Sequence, residues 1–314
     1  MRAMRIPTSA LLLVLAGACA HAPASTESAT TPATAETPAA KAPVAELPFM
    51  EPPGKPMPGW RLVKRGDLLF SEGKHAEAVA AWQQAMKEGN TRDNTAYSAA
   101  CALAVLGRKQ EALEQLSRAA EWGFRNVSWM QQDENLASLR TEPGFTALVA
   151  RIPTLPPKDA AANEELRKLF EADQADRSPP PATKEAWKVV SARDEQRRVR
   201  VKELLAAGAL EDGADFLAAG FIFQHGRTPE DFAMAREMGA EAARRGNSGG
   251  LWLAAAAWDR WLMNAGQPQR FGTQYQGDMQ TREMKLYPVD PKVTDEERAL
   301  WGFPPLAEIP TRLR

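Results

Sequence analysis

The chain has little of what most enzymes use for chemistry. Among 314 residues there are two cysteines, three histidines and three tyrosines. Two cysteines, Cys19 and Cys101, cannot make a disulfide framework or a cysteine-based metal centre. No phosphate-cradling glycine loop, GxSxG elbow or HExxH helix occurs. Gly246-Asn247-Ser248-Gly249-Gly250 lacks a following Lys-Ser/Thr and is therefore an interhelical turn. Neither sign of charge is in excess: 39 basic side chains face 40 acidic ones, for a net charge of -1 and a pI near 6.4. That balance supplies no field to draw nucleic acid or an anionic surface, and no nucleic-acid partner is expected. Nothing in the pattern calls for a metal or a cofactor, and none is expected.

Long apolar runs are also missing. The one short run, Leu11–Leu15, cannot span a bilayer. It follows two arginines and precedes the small residues Ala16-Gly17-Ala18 and then Cys19. A basic start, an apolar middle and small residues at the cut make a secretory signal over residues 1–18. Leading directly to a cysteine, it resembles the bacterial lipoprotein signal, although Ala16 stands where Leu or Val is more usual. The resemblance implies lipidation of Cys19 and a bilayer partner, with several acyl chains giving a stable anchor. Cleavage after an Ala-x-Ala site is the alternative. Ala20, rather than Asp, after Cys19 points by that resemblance to the outer membrane, facing the periplasm. Residues 19–58 are rich in Ala, Thr, Pro, Glu and Ser and are expected to be a disordered tether.

A period comes next. Gly73-Lys74-His75-Ala76-Glu77-Ala78 and Gly107-Arg108-Lys109-Gln110-Glu111-Ala112 stand 34 residues apart, as do Ala85 and Ala119. Helices are predicted over 60–71, 75–88, 95–106 and 109–122, with Gly73 and Gly107 in the turns. Small residues at Gly66, Ala78, Ala85, Ala100, Ala112 and Ala119, with large ones at Trp82 and Leu116, resemble two tetratricopeptide repeats. That resemblance implies close-packed helical hairpins and a protein or peptide partner on their groove. Trp129 to Ile152 looks like a capping segment, so the unit spans 59–152. Two repeats are few, and the groove could equally face the chain's own C-terminal half. Cys101 lies on a helix as a buried small hydrophobe.

Residues 158–314 are predicted to form an α-rich domain of unknown function. Helices are expected at 161–176, 184–207, 212–225, 229–245 and 249–265, with Thr183 as an N-cap. Thr228-Pro229-Glu230-Asp231 is a strong helix start, and Gly226 suits the stop before it. Phe271–Tyr275 and Glu283–Val289 could pair as a small hairpin, and a short helix follows at Asp295–Trp301. The fold class is thus mainly α, with two helical hairpins and a cap ahead of a second helical domain. Glu171 to Arg177, Gln224-His225, Asp259-Arg260, Gln269 to Gln274 and Gly302 to Leu306 resemble signatures of an uncharacterised bacterial family, which carries over no activity.

Polar residues extend the apolar stripes of three of these helices. Asp173, Gln174 and Arg177 follow Leu166 and Phe170; Gln224 and His225 follow Leu217 and Phe221; Asp259 and Arg260 follow Trp252. Gln274 joins them from the later loop. Polar groups on a buried stripe need partners or water. Two readings follow: a fully satisfied network, or a pocket in which His225 is the base, Asp173 or Asp259 orients it, and Arg177 or Arg260 holds an anion. The basic run Arg193, Arg197, Arg198, Arg200 and Lys202 reads as a solvated helix face. Trp252, Trp258 and Trp261 read as core. The sequence leads to a cell-envelope lipoprotein with a helical interaction unit; an enzyme or ligand binder with its site at these helix ends is the alternative.

Overall fold

A computed structural model describes residues 47–155, 161–178, 180–277 and 284–313. The signal, Cys19 and tether residues 20–46 lie outside the described residues. Four helices, α1 (Trp60–Ser71), α2 (His75–Lys87), α3 (Asp93–Val105) and α4 (Lys109–Trp122), form two hairpins. Gly73 and Gly107 turn them at φ of 77° and 75°, a conformation that glycine adopts without strain. The expected packing residues are all buried. Ala78, Trp82, Ala85, Ala100, Ala112 and Ala119 have no exposure, and Leu116 and Gly66 are buried beside them. At Gly66 the need for a small residue is steric, since a Cβ there would fall 2.5 Å from Trp82 Nε1.

After α4 the chain forms α5 (Val127–Gln132), a 3-10 turn (Glu134–Leu139) and α6 (Pro143–Arg151). This cap lies across α3 and fills it in. Tyr97 Oη donates to Asp133 at 2.9 Å, Tyr97 stacks on Phe124, and Ser138 Oγ donates to the Ala104 carbonyl. As a result every residue of α3 from Thr95 to Ala104 is buried. The second hairpin therefore offers no open face along α3. Cys101 is a buried thiol, pushed up in pKa by that burial.

The C-terminal unit contains α7 (Glu164–Ala175), α8 (Lys184–Ala206), α9 (Gly213–Gln224), α10 (Pro229–Arg244) and α11 (Gly250–Asn264). Starts follow local chemistry. Thr183 accepts from the Ala186 amide, and Thr228 and Asp231 form a capping box behind Pro229. Helices α10 and α11 approach through glycine: a Cβ on Gly239 would sit 2.6 Å from the Ala254 amide. Trp258 and Trp261 are buried, and the partly buried Trp252 stacks on Phe221. The hairpin pairs Tyr275–Gly277 (β1) with Met284–Leu286 (β2), a few residues later than expected on its first strand, and Arg312–Leu313 (β3) extends it antiparallel on β2. Helix α12 (Asp295–Leu300) precedes β3 in the chain, and Trp301 at its C-cap packs on Phe271.

Residues 47–58, expected to be part of a disordered tether, are packed instead. Leu47 and Met50 pack on the apolar cluster of Trp258, Phe271 and Trp301. Arg236 donates to the Pro48 carbonyl at 2.8 Å, and Phe49 lies edge-on to Trp258. Further along, Asn90 donates to the Pro58 carbonyl at 3.0 Å. Residues 47–58 are thus a strap touching the C-terminal unit at one end and the first hairpin at the other. Local composition does not show this, because Leu47 and Met50 are partly buried against residues far away in the sequence, while Phe49 keeps 62% of its exposure.

Candidate functional site

The candidate site is built at the ends of α7 and α9. The last turn of α7 carries Asp173 and Gln174, and α9 ends at Gln224 with His225 as its cap. His225 Nδ1 lies 2.9 and 3.1 Å from the two carboxylate oxygens of Asp173. Asp173 is fully buried and His225 is 9% exposed. Gln174 Nε2 donates to Asp173 at 2.8 Å, and Arg177 Nη1 donates to it at 3.1 Å. Arg177 then reaches α8, where it donates to Asp194 at 2.6 Å.

The electrostatics agree with this geometry. Burial pushes the His225 pKa down, against the pull of Asp173, and the charges of Arg177 and Arg260 push it further. Burial alone would raise Asp173, but hydrogen bonds from His225 and Gln174 and the charge of Arg177 hold it below the usual carboxylate range. Together these directions describe a neutral imidazole whose Nδ1–H donates to a carboxylate. In that tautomer Nε2 is a lone-pair acceptor, and it has no hydrogen-bond partner among the described residues.

A second cluster adjoins the first. Asp259 is fully buried, and burial raises its pKa to about 6. It accepts from the amides of Arg270, Phe271 and Thr273 at 2.7–3.1 Å and from Thr273 Oγ1 at 2.8 Å. Gln269 closes the same loop, donating to the Gln274 and Tyr287 carbonyls. Asp259 is therefore a loop-holding carboxylate rather than an orienter of His225. Arg260 links the clusters: Nη1 donates to the Gln224 carbonyl at 2.7 Å and Nε to Gln274 Oε1 at 3.1 Å. Gln224 uses its backbone there, and its buried Oε1 has no partner among the described residues.

The expected residues thus fall into two joined groups: Asp173, Gln174, Arg177 and His225 around the imidazole, and Asp259, Arg260 and Gln274 around the loop. Both arginines are engaged in these hydrogen bonds.

Three participants were not expected. Arg197 is only 7% exposed, so the basic run on α8 is not a uniformly solvated face. It donates to Asp194 at 2.8 Å and also pairs with Asp176. The signal was present as a stripe: Val190, Asp194, Arg197, Val201 and Leu204 recur at helical spacing and are all buried. Scans against protein-family models, curated proteins and solved structures found no match, so the meaning of the site rests on its own geometry.

Proposed function

We propose that this is a lipid-anchored cell-envelope protein, attached at Cys19 to the outer membrane and facing the periplasm. Its C-terminal helical unit binds a small polar ligand at His225. The Nε2 lone pair accepts a hydrogen bond from a ligand hydroxyl or amine, and is placed to take that proton as a general base. The observation that carries this reading is the asymmetry of His225. One ring nitrogen is held by a buried, braced carboxylate, while the other has no partner among the described residues. Held that way, the ring leaves Nε2 to accept from a ligand or from water. The tetratricopeptide-like unit, on its resemblance, supplies a surface for a protein partner.

The test is a thermal-shift screen of the full chain and of His225→Gln against sugars, amino sugars, amino acids and nucleosides. A compound that raises the melting temperature of the wild type and leaves the variant unmoved supports the reading. If no compound separates two equally folded proteins, the site is structural. Retention at the membrane is separate, and Cys19→Ser tests it.

A further inference from the structure

The strap brings the C-terminal end of the chain against the first hairpin and leaves a groove between them. Trp60, Arg61, Leu62 and Arg65 of α1 form one wall, and Pro304, Pro305 and Glu308 the other, enclosing about 310 Å³. That volume is at the small end of ligand sites, which run from about 300 to 1,000 Å³. It admits a short stretch of extended chain rather than a folded domain.

The charges in the groove are unbalanced. Arg61 and Arg65 are one helical turn apart and both exposed. Neither makes a salt bridge or side-chain hydrogen bond among the described residues, whereas Lys64 beside them pairs with Asp67. Arg61 instead lies over the Trp60 ring at 5.3 Å. Across the groove Glu308 is the single acid. Two guanidinium groups outnumber one carboxylate, beside an indole and two proline rings that offer flat apolar walls.

We propose that this groove docks an extended acidic peptide segment of a partner protein. Carboxylates of the segment pair with Arg61 and Arg65, and an apolar side chain lies on Trp60. The inference rests on the reading of the hairpins as a docking unit, and it moves the contact from their filled α3 face to the outer face of α1. The strap makes the site possible, because it fixes Pro304–Glu308 opposite α1: Pro56 lies against Gly302, and Met57 and Pro58 lie against Asn90.

Fluorescence anisotropy of the purified full chain tests this, using a labelled peptide of alternating proline and glutamate and its glutamine counterpart. The glutamate peptide should bind, and the glutamine peptide roughly two- to thirtyfold more weakly, the range that two lost exposed ion contacts give. Arg61→Glu/Arg65→Glu should weaken binding by at least about tenfold, and Glu308→Gln should tighten it roughly two- to threefold, since both changes lie on the surface and spare the core. Raising the ionic strength to about 0.5 M should reduce the affinity. Equal affinity for wild type and both variants would put docking elsewhere on the hairpins, overturning the groove while leaving the docking unit intact. Absence of glutamate-peptide binding, or binding of anionic lipid vesicles in its place, would overturn the groove as well.

Discussion

Asp173→Asn is the sharpest perturbation of the candidate site. The side chain keeps its size but loses the charge that faces His225 and Arg177. Asp173 has no solvent exposure and the Arg177 side chain 12%, so solvent screens the pair weakly. Removing one partner of a buried ion pair costs about 3–5 kcal/mol. Arg177 retains Asp194 at 2.6 Å, which places the expected loss at the lower end, about 3 kcal/mol. For a chain of this size that corresponds to a fall in melting temperature of roughly 6–12 °C. His225 would also lose the group that raises its pKa, and would be harder still to protonate. Urea unfolding followed by tryptophan fluorescence, with the wild type as reference, measures the change. A loss below about 0.5 kcal/mol, typical of an exposed substitution, would refute the claim that Asp173 is a buried charge holding the imidazole.

Other consequences concern pH, packing and anchoring. The folded-state pKa of His225 lies below its ordinary value of 6.5, so the unfolded chain takes up a proton that the folded chain refuses. Its contribution to stability is therefore lost as pH falls below about 6.5. Asp259 runs the other way: its folded pKa of about 6 lies above 3.8, so protonation favours the folded state as pH falls through that window. His225→Gln should thus gain on the wild type progressively below pH 6.5, and parallel stability curves would contradict the shift. Gly66→Ala should cost about 1–3 kcal/mol by forcing a methyl into Trp82, measurable by thermal unfolding. Cys19→Ser should move the protein from the membrane to the soluble fraction, and unchanged retention would remove the lipid anchor.

The helical hairpins were legible because two local signals agree. A 34-residue spacing of small residues sets the packing, and Gly73 and Gly107 set the turns. The capping box at Thr228 was likewise legible, since its partners are three residues apart. The site was legible in part. Of the polar residues continuing an apolar stripe, Asp173, Gln224, His225, Asp259 and Arg260 end up buried and Gln174 and Arg177 partly so, and Asp173 meets His225 across 52 positions of sequence. Which carboxylate does so is not a local property. Asp259 looked equivalent to Asp173 in sequence, yet the loop at Gly272, with φ of 79°, turns three amides onto it. The strap was illegible for the same reason: Pro48 is bound by Arg236, and nothing near Pro48 announces it. Arg197 is obscured in the sequence because its like-charged neighbours dominate the local composition, while the stripe that buries it runs at helical spacing.

The proposed site turns on the state of one imidazole. Long-range nitrogen–proton correlation NMR on the labelled full chain at neutral pH reads both ring nitrogens of His225 directly. The predicted result is a protonated Nδ1, a bare Nε2, and a shift of the Nδ1 resonance in Asp173→Asn. An imidazolium, or a ring protonated at Nε2 and unaffected by Asp173, would contradict it.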